Sequence, residues 1–351
     1  MNTQLSPAYF LPEAELVSWL AAQTQKRRVL APVQEGPAVV FRPLQAGQKP
    51  VLERARISPK AAILPSGDTL VRFTAEKDSE DPGKLHVNLE DKSTADVPET
   101  LIFACRSCDA RGFLALDTVY LQGKYKDPYY AARRAKTILM VQTCATPWAT
   151  CFCHWVGGGP DSSAGADITF TAVPGGYVLR AHSEKGTGLL AGLSEADAAA
   201  IAAEEGVKAG ARSLLQPAPN LDKAAARIRQ RFEDMNFWQD HTAKCLSCGA
   251  CTYMCPTCQC FTITDEGDIS NGRRLRSWDT CMSALFTHEA SGHNPRERKA
   301  QRMRQRISHK YSYAQKNTGI FSCTGCGRCV IWCPASLDIR EIVLDALVED
   351  V

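Results

Sequence analysis

Two cysteine-rich runs near the C-terminus decide the fold of this chain: residues 245–256 read CLSCGACTYMCP, and residues 323–334 read CTGCGRCVIWCP. Both have the spacing C-x2-C-x2-C-x3-C-P. Three cysteines with two residues between neighbours can bind one side of an iron–sulfur cubane, whereas the fourth cysteine of the run points away from that cubane. A single copy could bind zinc or arise by chance. Two complete copies, each with the trailing proline, predict a pair of 4Fe–4S clusters.

The fourth cysteine of each run is expected to ligate the cluster of the other run, as in two-cluster ferredoxins with this spacing. One predicted ligand set is therefore Cys245, Cys248, Cys251 and Cys333, and the other is Cys323, Cys326, Cys329 and Cys255. Such clusters shuttle single electrons, so the two runs predict an electron-transfer protein.

The segment between the two runs predicts a helical type of ferredoxin domain over residues 236–351. Sixty-seven residues separate Cys255 from Cys323, and the stretch PRERKAQRMRQRISHKYSYAQK has a helical pattern. Residues 261–322 hold 11 Lys or Arg against 6 Asp or Glu, a net charge of +5. We interpret this basic insert as a solvated face or a docking surface for an acidic partner. The whole chain is only +3 and lacks an aromatic platform, so nucleic acid is not an expected partner.

Residues 1–235 predict a mixed α/β domain, which makes the whole chain α+β. Strand-length apolar runs alternate with turn residues: VLAPV, AVVFRPL, AAILPSG, TLVRFTA, TLIFACR, TILMVQT, DITFTAV and GYVLRA. A helical pattern covers residues 111–136, and residues 76–98 are polar enough for a loop or an exposed hairpin. Ser194 and Asn220 are predicted to cap two later helices. The loose glycine pattern at residues 186–191 is interpreted as a turn, not a nucleotide site.

Four cysteines of the N-terminal domain are candidates for a third metal site. Cys108, Cys144, Cys151 and Cys153 follow or flank predicted strands, whose ends could bring them together. Four thiols suit a third cluster or a zinc ion, while buried free cysteines are the alternative. Cys105 is a rival to Cys108 for the same ligand position.

Three further cysteines, Cys258, Cys260 and Cys281, do not complete a cubane. We interpret them as packing around the clusters, where thiols tune the reduction potential. Sixteen cysteines without an export signal imply metal rather than disulfides, in a reducing and anaerobic cytoplasm. No apolar stretch approaches the roughly 20 residues of a membrane helix, so no membrane span is expected.

The chain resembles the iron–sulfur electron-transfer subunits of anaerobic sulfite reductase and the beta subunits of sulfhydrogenase-type NAD(P)-linked nickel–iron hydrogenases. The resemblance rests on both cysteine runs, on CPTCQC (residues 255–260), WDTCM (278–282) and SHKY (308–311), and on weaker motifs in the N-terminal half. Those weaker motifs are SPK (58–60), CD (108–109), DPYY (127–130) and CFC (151–153). Because family members carry cysteines at the positions of Cys108, Cys144, Cys151 and Cys153, the resemblance favours a third 4Fe–4S cluster there, with Cys105 as a bystander.

The resemblance implies a non-catalytic subunit that carries electrons between two partners. One partner would be a subunit that binds flavin and NAD(P), and the other a catalytic oxidoreductase subunit. The complex would be a hydrogenase, a sulfite reductase or an enzyme like heterodisulfide reductase. The alternative hypothesis is a reductase with its own catalytic cluster near Cys258, Cys260 and Cys281.

Overall fold

The structure is a computed structural model that describes residues 7–81, 83–92 and 97–348. Its strands, in chain order, are β1 (Ala8–Pro12), β2 (Arg28–Glu35), β3 (Ala38–Pro43), β4 (Gly67–Lys77), β5 (Leu85–Asp91), β6 (Thr100–Arg106), β7 (Thr137–Gln142), β8 (Ile168–Val173), β9 (Gly176–Ala181), β10 (Ser194–Glu195), β11 (Phe261–Gly267) and β12 (Asn271–Trp278). Its α-helices are α1 (Leu16–Thr24), α2 (Ser107–Tyr120), α3 (Pro128–Ala135), α4 (Glu184–Leu190), α5 (Ala198–Ser213), α6 (Ala224–Gln230), α7 (Met235–Thr242), α8 (Ala250–Tyr253), α9 (Lys299–Ser308), α10 (Ala314–Thr318), α11 (Arg328–Ile331) and α12 (Ile339–Leu347).

The larger sheet has the order β10-β1-β9-β8-β7-β6-β2-β3. Its centre is parallel, because β2 pairs with β6, β6 with β7 and β7 with β8 in that sense, while the remaining pairs are antiparallel. Seven of the eight predicted apolar runs form strands. Six of them lie in the larger sheet, and the seventh is β4. The run AAILPSG was wrongly predicted as a strand, because residues 59–62 form a 3-10 turn that begins at Pro59 and is capped by Ser58.

The smaller sheet joins the two halves of the chain. Its order is β11-β12-β4-β5, and all its pairs are antiparallel. The pair β4–β5 is the exposed hairpin expected near residues 76–98, with residues 82 and 93–96 outside the described ones. The hairpin β11–β12 lies in the insert that was expected to be helical, so that expectation is wrong for residues 261–278. The domain boundary at residue 235 stays a prediction, and this sheet crosses it.

The helices match the predicted ones with five corrections. Asn220 does not cap a helix, because α6 begins only at Ala224 after Lys223, and the helical pattern of residues 111–136 is interrupted between Tyr120 and Pro128.

Helix α5 is capped by Asp197, whose carboxylate accepts the N–H of Ala200 at 2.7 Å, and not by Ser194, which pairs with β1 as part of β10. Gly186 lies inside α4 and not in a turn. The basic helix begins at Lys299, four residues later than its pattern indicated. The α+β fold class is confirmed.

Apolar side chains form one core on each face of the larger sheet and a third core among the C-terminal helices. The third core includes Phe152 and Val156 from the N-terminal half, so the two halves pack together around it. Two glycines of the second cysteine run make this approach possible. A Cβ on Gly325 would lie 2.3 Å from the Phe152 carbonyl oxygen, and one on Gly327 would lie 2.5 Å from that of Thr150.

A buried ion pair also crosses between the halves. Arg328 Nη1 lies 2.6 Å from Asp109 Oδ1, and the two side chains are 0% and 1% exposed. Asp109 also accepts the N–H of Arg106 at the start of α2, so it holds the helix start and the second cysteine run at once. Within the part of the chain that the structure describes, no helix is both long and apolar enough to cross a bilayer.

Candidate iron–sulfur centres

The first cysteine run shares a cavity with the last cysteine of the second run. Cys245, Cys248 and Cys251 line this cavity together with Cys333. Gly249, with φ of +74°, lets the backbone turn sharply just before α8. The structure thus brings together the four cysteines that were predicted to share one cluster, and Cys329 lines the same cavity, so the ligand set stays a prediction. We call the four predicted ligands the first cysteine group.

The second cysteine group consists of Cys323, Cys326, Cys329 and Cys255. Burial raises the pKa of Cys329; Arg306 opposes this effect, and the thiolates of Cys326, Cys323 and Cys255 add to it. Thiolates repel one another at close range, so a group of this kind is stabilised by a positively charged centre. Cys255 thus lies near the cysteines of the other run, but its charge also acts on Cys251 of its own run, so the crossed arrangement stays a prediction.

The N-terminal cysteine group consists of Cys108, Cys144, Cys151 and Cys153. Because β6 and β7 are parallel neighbours, they end at the same sheet edge, where Cys108 starts α2 and Cys144 follows β7. Burial raises the pKa of Cys153 to about 12, with further contributions from Cys151 and Cys144. Arg54 connects the group, because its Nη1 donates to Cys151 Sγ at 2.7 Å and its Nη2 to Cys108 Sγ at 3.6 Å.

The N-terminal group lies directly against the second group. The N–H of Phe152 donates to the carbonyl oxygen of Gly325 at 2.8 Å, which joins the two cysteine-bearing loops. Arg54, which contacts Cys151, also donates to the carbonyl oxygen of Cys326. The second group in turn meets the first at Arg306, which lines the first cavity together with Cys329. The three groups therefore form one continuous series.

Cationic side chains lie around these thiols, and they provide a test of whether the site suits a cluster. The set comprises Arg54, Lys60, Arg306, Lys310 and Arg328. The last four are at most 3% exposed. Among the described residues, Arg328 alone of this set has a carboxylate in ion-pair contact. A buried cation without a counter-charge is strongly destabilising.

A 4Fe–4S cluster with four thiolate ligands carries net negative charge and would supply the missing counter-charge. The Nε atoms of Arg54 and Arg306 are buried without a hydrogen-bond partner, as are those of Arg27, Arg106 and Arg276 elsewhere in the described residues. Within residues 7–81, 83–92 and 97–348, no three Cys, His, Asp or Glu side chains converge on a position for a single metal ion. A cubane binds each thiolate to a different iron atom, so its ligands do not need to converge in this way. The residues present therefore fit clusters.

The three cysteines outside these groups lie next to them. Cys258 hydrogen-bonds to Cys255, and its carbonyl oxygen accepts Lys60 Nζ at 2.9 Å. Cys260 hydrogen-bonds to Cys281, which lowers the pKa of Cys260 to about 6 and raises that of Cys281. This placement agrees with packing around the clusters.

Cys105 lies apart from all three groups. It is fully buried, and its thiol donates to the Met140 carbonyl oxygen at 3.6 Å in the core beneath the sheet. None of the cations around the thiols was predicted from the sequence as a functional residue. Lys60 and Lys310 fall within the SPK and SHKY motifs, which were the signals that could have revealed them.

The comparisons with known proteins agree with this site. Residues 244–337, which contain both cysteine runs, match the family described as a 4Fe-4S dicluster domain. The chain is 32% identical over 253 residues to the sulfhydrogenase 2 subunit beta of Pyrococcus furiosus, and the match covers 69% of this chain and 72% of that protein. No solved structure gives a significant match.

Fold, site and comparisons together define an iron–sulfur protein built around a domain for two 4Fe–4S clusters. The chain belongs to the family of iron–sulfur electron-transfer subunits that includes this sulfhydrogenase beta subunit. The family predicted from the sequence motifs is confirmed.

Proposed function

We propose that this chain relays single electrons through three 4Fe–4S clusters within a larger oxidoreductase. A 4Fe–4S cluster takes up and releases one electron at a time. The proposed ligands are the first group (Cys245, Cys248, Cys251, Cys333), the second group (Cys323, Cys326, Cys329, Cys255) and the N-terminal group (Cys108, Cys144, Cys151, Cys153). The chain's own contribution is to fix the position, burial and local charge of each centre.

The observation that carries this proposal is the continuity of the three groups. The N-terminal group contacts the second group through the Phe152–Gly325 hydrogen bond, and Arg306 lies between the second and the first. A series of this kind suits stepwise transfer from one end of the protein to the other. A single catalytic centre would not require three groups in a row.

The name of the similar protein, a sulfhydrogenase beta subunit, indicates partner subunits for this chain. It is a beta subunit of a sulfhydrogenase, so we infer that this chain also works in a complex. At one end of the series we propose a flavin- and NAD(P)-binding subunit, and at the other end a catalytic subunit, in the cytoplasm. The basic insert, net +5 over residues 261–322, does not present all of this charge to a partner, because Arg276, Arg302, Arg306 and Lys310 are buried.

Iron content tests the number of clusters. Protein purified without oxygen should contain about 12 iron and 12 acid-labile sulfide per chain, because each of three cubanes holds four of each. Iron and sulfide assays, with metal analysis by mass spectrometry, give the answer. A value of about 8 would remove the N-terminal cluster, and zinc in place of the extra iron would make that site structural.

Reduction of the purified chain tests its role as a carrier. Dithionite or a low-potential dye should bleach the cluster absorbance, whereas NAD(P)H should not, because the glycine pattern at residues 186–191 lies within helix α4 and not in a turn between a strand and a helix, where a dinucleotide motif would bind. Stopped-flow absorbance measures both reactions. Rapid bleaching by NAD(P)H in protein that contains flavin but no other subunit would contradict the proposal.

A second candidate function is reduction of a substrate beside Cys258, Cys260 and Cys281. It is favoured by the contact between Cys260 and Cys281, which lowers the pKa of Cys260, because a thiol with a lowered pKa is more easily converted to the nucleophilic thiolate. Turnover of a sulfur substrate by the isolated chain with dithionite, lost in Cys260→Ser, would support this function over that of a carrier.

A further inference from the structure

Three buried cations lie along one helix on the side that faces the cysteine groups. Arg302, Arg306 and Lys310 follow one another at intervals of four residues and are 6%, 3% and 3% exposed. Residues four apart share one face of a helix. Helix α9 carries the first two, and the π-helical turn at residues 309–313 that continues it carries the third. We call these residues the cation row.

The first member of the row is satisfied by neutral acceptors. Arg302 Nε donates to the Met282 carbonyl oxygen at 2.9 Å, and its Nη1 donates to that of Arg296 at 3.0 Å. Its Nη2 donates to Ser247 Oγ at 3.2 Å. Arg302 therefore has a structural role that needs no cluster.

The last member faces the second cysteine group. Lys310 Nζ donates to Cys255 Sγ at 3.4 Å, to Thr257 Oγ1 at 2.9 Å and to the Ser322 carbonyl oxygen at 2.9 Å. The thiolates of Cys255 and Cys323 attract the positive charge of Lys310 and so favour its protonated form. Lys310 thus lies at one group only.

The middle member faces both groups. Arg306 lines the cavity of the first group, where its Nη2 donates to the Cys251 carbonyl oxygen at 3.2 Å. Cys329 of the second group lines the same cavity, and the charge of Arg306 acts on the thiols of Cys251, Cys329 and Cys255. Its Nε is buried without a partner, and no carboxylate of the described residues pairs with it.

We propose that Arg306 is the shared counter-charge of the two ferredoxin-type clusters and raises the reduction potential of both, an inference that rests on the proposed ligand sets. Uptake of an electron makes a cluster more negative, and a buried cation beside it stabilises that form. Because Arg306 lies between the two groups, it acts on both clusters, whereas Lys310 acts on one. Arg306 is therefore a positioning residue for charge and not a cluster ligand.

Redox titration of the full-length protein, followed by electron paramagnetic resonance, tests the inference. In Arg306→Met, which keeps the bulk but removes the charge, both ferredoxin-type signals should become harder to reduce. At the wild-type midpoint potential, the ratio of reduced to oxidised cluster should fall about tenfold for each. Arg306→Lys should restore both midpoints, because it keeps the charge.

Two variants serve as controls. Lys310→Met should shift only the cluster of Cys323, Cys326 and Cys329. Arg304→Met removes an arginine from another face of α9, where it donates to the Phe232 carbonyl oxygen at 2.8 Å and lies over the Phe232 ring, so neither midpoint should move.

Each outcome decides the inference. Unchanged midpoints, or a shift of only one cluster, in Arg306→Met with full iron content would overturn it while leaving the proposed electron relay intact. If Arg306→Met does not retain its iron, Arg306→Gln is titrated in its place. Loss of iron from the methionine, glutamine and lysine variants alike would indicate a purely structural role and also overturn it. If only the lysine variant retains its iron, the clusters need a positive charge at position 306, which would support the inference.

Discussion

Replacing Cys333 by serine is expected to abolish or alter the same cluster signal as replacing Cys248 by serine, although 84 residues separate the two positions in the chain. Cys333 lines the cavity of Cys245, Cys248 and Cys251, so its thiolate should complete that cluster and not the one bound by its own run. Iron content should fall by about four atoms per chain in each variant. Electron paramagnetic resonance of dithionite-reduced protein identifies the signal that is lost.

Two further variants make this result interpretable. Cys326→Ser should change the other ferredoxin-type signal, because Cys326 belongs to the second group. Cys105→Ser should preserve every signal, since its thiol contacts the Met140 carbonyl oxygen away from all three groups. If Cys333→Ser changes the signal that is lost in Cys326→Ser, then the crossed ligand assignment is wrong.

Replacing Asp109 by asparagine is expected to destabilise the folded protein by about 3–5 kcal/mol, because it leaves the charge of Arg328 buried without its partner. Both side chains are essentially inaccessible to water, at 1% and 0% exposure. The pair also connects the start of α2 to the second cysteine run, so its loss should loosen the contact between the N-terminal and second groups. Urea unfolding without oxygen, followed by circular dichroism, measures the change in the free energy of unfolding.

The matched control lies on the same helix. Asp117 pairs with Arg134, and their side chains are 16% and 17% exposed. Because water can still reach this pair, Asp117→Asn should cost only about 1 kcal/mol. Equal losses of unfolding free energy in the two variants would contradict this prediction. They would show that Arg328 becomes hydrated or finds another partner once Asp109 is neutralised.

The sequence could predict the α+β class and most elements of the larger sheet. Strands such as β6 and β7 are buried, so their apolar runs stand out from the turns around them. One wrong prediction, the capping residue of α5, has a local cause. Ser194 and Asp197 are both good helix caps, but pairing of β10 with β1 extends the chain at Ser194 and leaves Asp197 to cap α5.

The sequence alone determined the two cluster motifs and the family, because ligand spacing within each run is a local property that neighbouring residues fix. Only the tertiary structure decided which residues surround the thiols. The hairpin β11–β12 pairs with β4 across the predicted domain boundary, since strand pairing depends on partners distant in the chain. Likewise, Arg306 and Lys310 look like ordinary residues of a basic helix, and folding makes them buried cations, because burial depends on what packs against that helix.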